Sequence, residues 1–259
     1  MKQENKMEAK DTVTLIIAAK NEAKNIGPVL AKSKQYVDEV IVVDGHSEDE
    51  TAQISRNFGA RVFQDNKRGK GDALRVGASH ASKKILVFID ADQSHDPEDI
   101  PKLLAPIKMG LADHVQGSRM LGGSEELFSN IGEYVRLFGS LFITLCINVR
   151  FKIRLTDSQN GLRAILKNCF LNLETHENIT TIEQEMVIKT LNKGYRLLEV
   201  PTHEYRRKFG ESNIKLSKVA FRYLFSLFWN LLSPKVNQEW NQKNRNSVQK
   251  RVLPSWSDK

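Results

Sequence analysis

The length and composition of the chain favour one main domain. Its 259 residues, 40% of them hydrophobic, can bury one substantial core, or one core with a small appendage. The formal net charge is +8, and residues 235–259 form a basic tail with six basic and two acidic side chains. Cys146 and Cys169 are the only cysteines. This excludes a thiolate metal site and a disulfide framework, and it favours a reducing compartment.

The two ends of the chain carry little specific information. Residues 1–11 are polar and charged and lack the apolar segment of a secretory signal, so we expect a cytosolic protein. A basic tail binds nucleic acid or anionic lipid in some proteins, but a solvated terminus is the commonest outcome. Because only the net charge supports nucleic-acid binding, we expect no nucleic-acid partner.

The first half of the chain alternates β-branched runs with helical segments. Strands are predicted at residues 12–18, 39–44, 60–64, 84–90 and 113–118, and helices at residues 25–36, 47–59, 71–81 and after Asp96. A capping box of Ser47 and Glu50 is expected to start the second helix, and Asp96 with Pro97 the fourth. The alternation predicts an α/β fold with an open, mostly parallel sheet.

Two helices in the second half have a narrow polar stripe on an otherwise apolar surface. The stripes recur every four residues, at Arg136, Ser140, Thr144 and Asn148 and at Lys218, Arg222, Ser226 and Asn230. The charge-free residues 137–149 reach only about 20 Å as a helix, short of the roughly 30 Å of a bilayer core, so we expect no membrane span. A core helix with an internal polar seam explains each stripe almost as well as membrane contact. The aromatic residues of the second helix and the basic tail after it favour a membrane interface.

An acidic pair, Asp90 and Asp92, directly follows the apolar run at residues 84–89. Ligands of open α/β sheets bind beyond the carboxyl ends of the strands. Two carboxylates at such a place can ligate Mg²⁺ or Mn²⁺, which take oxygen ligands and bridge substrate phosphates. Acidic residues after strands also cap the next helix, but Asp96 already serves that purpose. We therefore predict a metal site at Asp90 and Asp92.

A series of motifs between residues 12 and 215 resembles the family 2 glycosyltransferases of GT-A fold, and among them the dolichol-phosphate mannosyltransferase-like group. The motifs are AAKNE at 18–22, VDGHSEDET at 43–51, NKRGKG at 66–71, DADQSHDPE at 90–98, GSR at 117–119, DSQNGLR at 157–163 and RKFGESN at 207–213. The chain departs from the family pattern at Gly45, Asn160, Leu162 and Asn213.

The resemblance implies an enzyme that transfers one sugar from a nucleoside-diphosphate sugar to a polyprenyl phosphate, dolichyl or undecaprenyl. The implied donor-binding residues are Asn21, Glu22, Asp44, Lys70, Asp90, Ala91 and Asp92, with Mg²⁺ or Mn²⁺ at the acidic pair. The implied acceptor-binding residues are Arg119, Arg136, Ser140, Arg163 and Arg207. The implied catalytic residues are Asp92, Asp157, Arg119 and Arg136.

The acceptor determines whether a base is needed. A phosphate monoester is mostly dianionic at pH 7, so it needs only cations to hold it, and its direct attack would invert the anomeric centre. A rival family 2 enzyme acting on a saccharide hydroxyl would need a base, either Asp157 or Glu185. Here Glu185 is expected to face the site and Glu183 to form a capping box with Thr180. A more distant rival is a non-catalytic nucleotide-sugar-binding membrane scaffold, against which the intact acidic pair argues.

The expected organisation has three parts. Residues 1–11 form a polar tail, residues 12–215 a GT-A glycosyltransferase domain, and residues 216–259 an amphipathic interface helix with a basic tail. The expected location is the cytoplasmic face of a membrane, where the protein would be peripheral or monotopic.

Overall fold

The computed structural model describes residues 13–126, 131–210 and 216–232. The described strands are β1 Val13–Ala19, β2 Glu39–Asp44, β3 Arg61–Gln64, β4 Ile85–Phe88, β5 His114–Ser118, β6 Arg163–Leu166 and β7 Leu197–Pro201. The described helices are α1 Ile26–Ser33, α2 Thr51–Asn57, α3 Lys70–His80, α4 Ile100–Lys108, α5 Arg119–Gly122, α6 Ile131–Phe151, α7 Lys167–Leu173, α8 Ile182–Asn192 and α9 Leu216–Leu232. The predicted division at residue 215 stays a prediction, since residues 211–215 lie outside the described part.

The strands form one mostly parallel sheet in the order β3-β2-β1-β4-β6-β5-β7. Only β6 runs antiparallel to its neighbours, β4 and β5, among the described strands. The parallel register pairs Ala19 with Asp44 and Ile16 with Phe88, so the carboxyl ends of β2, β1 and β4 meet at one edge of the sheet. The predicted α/β fold is confirmed, and the acidic pair after β4 lies at this carboxyl edge.

Each face of the sheet buries an apolar layer. Leu15 and Ile17 of β1 point into the layer that contains α1 and α4, and Ile16 points into the layer that contains α3, α7 and α8. All four residues of β4 are buried, as the continuous apolar run predicted for a strand covered on both faces. A third cluster joins α6, α8 and α9 through Ile143, Ile147, Val187, Ile188, Leu227 and Leu231.

The predicted helix start at Asp96 is confirmed, and the predicted start at Ser47 is wrong. The side chain of Asp96 accepts a hydrogen bond from the Glu98 N–H at 3.1 Å, as expected of an N-cap, and a short 3₁₀ turn precedes α4. The capping box at Ser47 is wrong, because α2 begins only at Thr51, whose N–H donates to Asp49 at 3.0 Å. The Ser47 hydroxyl instead accepts from the Asn21 N–H at 2.8 Å, so it joins the loops after β1 and β2.

The polar stripes of α6 and α9 face the protein. The Thr144 hydroxyl lies 2.8 Å from that of Ser158, and the Asn148 amide bonds both backbone groups of Leu155 at 2.8 Å. Asn230 is buried on α9, whereas the side chain of Lys218 lies outside the described residues. The internal polar seam is therefore confirmed at Thr144 and Asn148 of α6 and at Ser226 and Asn230 of α9, whereas Arg222 is half-exposed.

The opposite faces of these helices form a surface that we call the outer apolar face. It consists of Phe138, Leu141, Leu145, Val149, Phe221, Phe225, Phe228, Trp229 and Leu232, all of them exposed. Phe221, Phe225 and Trp229 stack along α9 with ring centroids 6.5 and 6.0 Å apart. An exposed apolar area of this kind marks an interaction surface in soluble proteins.

Helix α6 is longer than the charge-free run at residues 137–149, so the expectation that it is too short to span a membrane is wrong. The helix has 21 residues because Glu133 and Arg136 extend it beyond the charge-free run. A 19-residue stretch, Glu133–Phe151, has a mean hydropathy of 1.3 with 22% buried, so by length and composition alone it could cross a membrane. It is the one such helix in the described part of the chain, and the core helices of soluble proteins also meet this criterion.

Candidate active site

The loops at the carboxyl edge contain unusual backbone conformations. Asn21, His46, Lys67 and Gln93 follow β1, β2, β3 and β4 respectively, and their φ angles lie between 57° and 65°. Left-handed backbone is uncommon for residues other than glycine, and it tends to cluster at functional sites. Four neighbouring loops thus turn sharply where the motifs place the donor site.

The predicted donor residues Asn21 and Glu22 lie in the loop after β1, and the predicted donor residue Asp44 is the last residue of β2. The Asn21 side chain accepts from the Glu48 N–H at 2.8 Å, and buried Asp44 accepts from the Ser47 N–H at 3.2 Å. Burial raises the pKa of Glu22, and the charges on Asp92 and Asp90 raise it further. Glu22 therefore shares the electrostatic surroundings of the acidic pair.

Asp90 belongs to a charge network with a lysine at the start of α3. The Lys70 Nζ lies 2.5 Å from Asp90 Oδ1 and 2.8 Å from Glu183 Oε1, and the His95 Nε2 lies 3.9 Å from Asp90 Oδ2. Burial alone would raise the pKa of Asp90, but the charges of Lys70 and His95 hold it below its ordinary value. A Cβ at Gly161 would lie 2.5 Å from Asp90 Oδ2, so the backbone at Gly161 packs directly on this carboxylate.

Asp92 is held by the segment after β7 and by its own loop. Its Oδ2 lies 2.6 Å from the Arg207 Nη2, and its Oδ1 accepts from both the N–H and the hydroxyl of Ser94, at 3.0 and 2.6 Å. Ala91, between the two acids, is buried. The two carboxylates are therefore fixed in orientation and paired with basic side chains.

The acidic pair has the chemistry that a hard divalent cation requires. Carboxylate oxygens suit Mg²⁺ and Mn²⁺, which usually take about six oxygen ligands. Among the described residues, no group of three or more His, Cys, Asp or Glu side chains is arranged to hold a metal ion. Asp90 and Asp92 thus fit a cation that is shared with substrate phosphates, and they do not form a cage by themselves.

A cavity of about 380 Å³ extends from the acidic pair to the space between α6 and α9. Its polar part includes Lys70, Asp90, Asp92, His95, Arg119, Glu183, Glu204 and Arg207. Its apolar part, which we call the interhelical groove, includes Val135, Gly139, Phe142, Ile143, Ala220, Tyr223 and Leu224. Arg136 and Ser140 of α6 also line the cavity. Among the predicted site residues, the cavity therefore brings together Lys70, Asp90, Asp92, Arg119, Arg136, Ser140 and Arg207.

Arg119 is held rigidly at this cavity by two carboxylates. Its Nε lies 2.6 Å from Asp157 Oδ2, its Nη2 3.0 Å from Asp157 Oδ1, and its Nη1 3.2 Å from Glu204 Oε1. Burial would raise the pKa of Asp157, but the charge and hydrogen bonds of Arg119 lower it. Asp157 is 1% exposed and does not line the cavity. Both oxygens of Asp157 are thus engaged by Arg119, and the predicted catalytic role of Asp157 stays a prediction.

The predicted acceptor contact of Arg163 is wrong. Its side chain is buried under β6, where Nε donates to the Asn160 carbonyl and Nη1 to the Glu183 carbonyl, both at 3.1 Å. Burial lowers the pKa of Arg163, an effect that the charge of Glu183 opposes. Arg163 therefore fixes the backbone around Asn160 and the first turn of α8, and it cannot reach an acceptor in the cavity.

The expectation that Glu185 faces the site is also wrong. Its carboxylate is buried and accepts hydrogen bonds from the His176 N–H at 2.9 Å and the Glu177 N–H at 2.8 Å. It also lies 2.9 Å from the Lys189 Nζ. Glu185 thus secures the segment before α8, and it has no free oxygen to serve as a base at the cavity.

Glu183 was not among the predicted site residues, and its expected capping box with Thr180 does not form. The N-cap of α8 is Thr181, which makes no side-chain cap bond, and the Glu183 carboxylate instead reaches Lys70. Residues two apart on a helix point in nearly opposite directions. Only one of Glu183 and Glu185 could therefore face the cavity, but the sequence pattern did not show which one.

Tyr223 of α9 was missed as well, although it lines the cavity. Its hydroxyl lies 2.5 Å from that of Thr180, and burial raises its pKa to about 12, with a further contribution from the charge of Glu183. The sequence indicates only the aromatic character of α9, and no spacing in it relates Tyr223 to the acidic pair.

Comparison with known proteins identifies the family. A family model described as Glycosyl transferase family 2 matches residues 14–170. A Haloferax volcanii protein named dolichyl-phosphate hexose transferase is 30% identical over 207 residues, which are 79% of this chain and 87% of that protein. A Pyrococcus furiosus protein named dolichol-phosphate mannosyltransferase is 30% identical over 226 residues, which are 83% of this chain and 62% of that protein.

Solved structures agree with this assignment at the level of the fold. Glucosyl-3-phosphoglycerate synthase from Mycobacterium tuberculosis, in complex with Mn²⁺, uridine diphosphate and phosphoglyceric acid, superposes with a TM-score of 0.69 at 22% identity, covering 87% of this chain and 80% of that one. The same enzyme in complex with Mn²⁺ and uridine-diphosphate-glucose also gives 0.69, at 20% identity, covering 88% and 81%. The chain therefore belongs to glycosyl transferase family 2 and has the GT-A fold.

Proposed function

We propose that the protein is an inverting glycosyltransferase that moves one sugar from a nucleoside-diphosphate sugar to a polyprenyl phosphate, dolichyl or undecaprenyl, at a membrane surface. One observation carries the proposal: a single cavity joins the acidic pair to the interhelical groove, and Arg119, Arg136 and Arg207 line it. A phosphate with an isoprenoid chain matches this cavity, because its charged head would lie among the arginines and its apolar chain would lie in the interhelical groove.

The chemistry of the acceptor supports this choice. A phosphate monoester is already a dianionic nucleophile at pH 7, so it needs to be held by cations and not deprotonated. Arg119 supplies a cation fixed by Asp157 and Glu204, and Arg136 supplies a second from α6. The two acids considered as bases for a hydroxyl acceptor, Asp157 and Glu185, are engaged elsewhere. The displaced nucleoside diphosphate would leave opposite the attacking oxygen, with inversion.

The donor end fits a diphosphate. Asp90 and Asp92 would hold Mg²⁺ or Mn²⁺, which neutralises charge on the leaving diphosphate when it is bound. Lys70 lies within 2.5 Å of Asp90, so its ammonium group is near the place where the phosphates would meet this cation. The Mycobacterium tuberculosis structures contain Mn²⁺ with uridine diphosphate or its glucose ester, which supports a similar donor here.

The relatives divide on the acceptor. The archaeal relatives are named for dolichyl phosphate, whereas the Mycobacterium tuberculosis enzyme binds the small, water-soluble phosphoglyceric acid. The hydroxyl-acceptor alternative therefore stays in view for a family 2 enzyme. The interhelical groove favours the lipid, because its seven lining residues are mainly apolar and a small polar acceptor would not contact them.

The groove predicts that the acceptor chain contributes to catalysis. For wild type, kcat/KM should rise by about tenfold or more from an isopentenyl to a geranylgeranyl phosphate, because each buried CH₂ contributes about 0.8 kcal/mol. Gly139 lines the groove and a Cβ there would meet nothing within 4 Å, so Gly139→Leu should fill the groove without a clash. The variant should lose most of the chain-length gain but keep its rate with the shortest acceptor. Equal rates for all chain lengths in wild type would contradict the groove assignment.

We also propose a peripheral or monotopic location at the cytoplasmic face of a membrane, supported by the outer apolar face. The double variant Phe225→Asp with Trp229→Asp should weaken binding to anionic liposomes by about tenfold or more, since each aromatic side chain buries about 150–250 Å². Both residues are exposed, so the fold should tolerate the changes. Removing α9 entirely is a poorer test, because Leu227 and Leu231 belong to the third cluster.

A matched control for the liposome experiment is Met109→Asp. Met109 is 71% exposed but follows α4, outside the outer apolar face. Flotation with liposomes should be unchanged for this variant. If the double variant floats as well as wild type, the outer apolar face is not the membrane contact.

A further inference from the structure

Glu183 has a buried carboxylate with one oxygen paired and the other without a hydrogen-bond partner among the described residues. Its side chain is 6% exposed, with Oε1 lying 2.8 Å from the Lys70 Nζ. The other oxygen, Oε2, has no hydrogen-bond partner in the described part of the chain. A buried polar atom without a partner is costly, because it has lost water and gained nothing in return. Such an atom at a cavity wall indicates a place where a ligand supplies the missing donor.

The position of Glu183 narrows the choice of ligand. Lys70 connects it to Asp90, where the donor diphosphate is proposed to lie. The cavity wall beside Glu183 continues with Thr180, which precedes α8, and with Tyr223 of α9. These two residues lead towards the interhelical groove. Glu183 therefore lies at the wall between the proposed donor phosphates and the proposed acceptor, and the reacting sugar has to occupy that space.

The negative charge of Glu183 further limits which ligand group can meet its unpartnered oxygen. A carboxylate accepts hydrogen bonds and repels anions, so the acceptor phosphate belongs with Arg119 and Arg136, and the Lys70 ammonium group stands between Glu183 and the donor phosphates. Sugar hydroxyls are neutral donors and match the unpartnered oxygen. We infer that Glu183 is a specificity-determining residue, which accepts a hydrogen bond from a hydroxyl of the transferred sugar and disfavours a sugar that carries its own carboxylate. The inference rests on the proposed donor and is independent of the acceptor.

Binding experiments without any acceptor test this inference. Dissociation constants are measured by calorimetry with Mn²⁺ for uridine diphosphate, uridine-diphosphate-glucose, uridine-diphosphate-glucuronate, guanosine diphosphate and guanosine-diphosphate-mannose. In Glu183→Gln, the gain in affinity that the neutral sugar brings over the bare nucleotide should fall by about tenfold or more, because a charge-assisted hydrogen bond is lost. Affinity for the bare nucleotide should stay within about threefold. Where wild type binds a uridine ligand, its preference for glucose over glucuronate should shrink in the variant.

Two further variants separate sugar contact from a merely structural role. Glu183→Asp keeps the negative charge, so it should keep the preference against glucuronate while it weakens glucose binding. Glu185→Gln changes a buried glutamate of the same helix that does not line the cavity, and it should lower the melting temperature without changing the gain from the sugar.

Three outcomes would overturn the inference. An equal loss of bare nucleotide and nucleotide sugar in Glu183→Gln would mean that Glu183 only positions Lys70. An unchanged gain from the sugar in a folded Glu183→Gln variant would mean that Glu183 does not touch the sugar. A wild-type chain that binds none of the five ligands would contradict the proposed donor, and this inference would fall with it.

Discussion

Replacing Asp92 with Asn is expected to reduce turnover by at least about a hundredfold while the chain stays folded. A neutral amide is a poor ligand for a hard divalent cation, and metal-ion stabilisation of a developing charge amounts to several kcal/mol. The amide oxygen can still accept the two hydrogen bonds from Ser94, at 3.0 and 2.6 Å, so the loop should keep its shape. Steady-state kinetics at saturating Mn²⁺ measure the effect, and wild-type activity should disappear in excess chelator.

Asp96 provides the matched control for this variant. It lies four positions further along the same motif, but its side chain caps the turn before α4 by accepting from the Glu98 N–H. Asp96→Asn should leave turnover within about threefold and change stability by less than about 1 kcal/mol, since Asn is also a good N-cap residue. Full activity of Asp92→Asn, or of wild type without divalent cations, would contradict the metal assignment.

Arg136→Ala is expected to lower kcat/KM for polyprenyl phosphate by about tenfold to a hundredfold. A charge-assisted contact to the attacking phosphate contributes about 1.5–3 kcal/mol. The Kd for the nucleotide sugar should hardly change, because Arg136 lines the cavity from α6 and the proposed donor residues lie at the carboxyl edge of the sheet. The measurement is acceptor kinetics beside donor calorimetry on the same preparation.

Two further variants provide a conservative replacement and a control for Arg136→Ala. Arg136→Lys should rescue only part of the loss, because an ammonium group lacks the planar fork that can bind two phosphate oxygens. Arg150→Ala, near the other end of the same helix, removes an arginine that does not line the cavity, and it should leave acceptor kinetics unchanged. Unchanged acceptor kinetics in Arg136→Ala would favour the hydroxyl-acceptor alternative.

The fold was predictable because its signals are local. The β-branched runs and the turn residues between them placed five strands in the first half, and the continuous apolar run at residues 84–89 predicted a strand covered on both faces, which β4 is. The helix starts were less predictable. Ser47 with Glu50 has the spacing of a capping box, but Asp49 and Thr51 offer a competing cap, and Ser47 is drawn to the Asn21 N–H across the sheet edge.

The site was predictable where backbone topology decides the outcome. Asp90 and Asp92 follow a central strand, so the parallel sheet itself places them at the carboxyl edge. Backbone topology alone does not show what the buried side chains behind the cavity wall contact. Asp157 and Arg163 stand in one motif, but the first supports Arg119 from a buried position and the second holds backbone carbonyls under β6.

The choice between Glu183 and Glu185 shows why tertiary packing was needed. Both are glutamates in the first turn of α8, and both are buried. Which one meets Lys70 depends on how α8 is rotated against α3, and the contacts of Ile182 and Met186 with the sheet determine this rotation. No spacing within α8 contains that information.

A competition between acceptors tests directly whether the protein glycosylates a polyprenyl phosphate. The wild-type chain is incubated with Mn²⁺, sugar-labelled uridine-diphosphate-glucose or guanosine-diphosphate-mannose, and equal amounts of a short polyprenyl phosphate and phosphoglyceric acid. Label from one of these donors is expected to enter the organic phase on extraction, and mass spectrometry should show one sugar per polyprenyl phosphate. Label confined to phosphoglyceric acid in the aqueous phase, with none on the lipid, would contradict the proposed lipid acceptor.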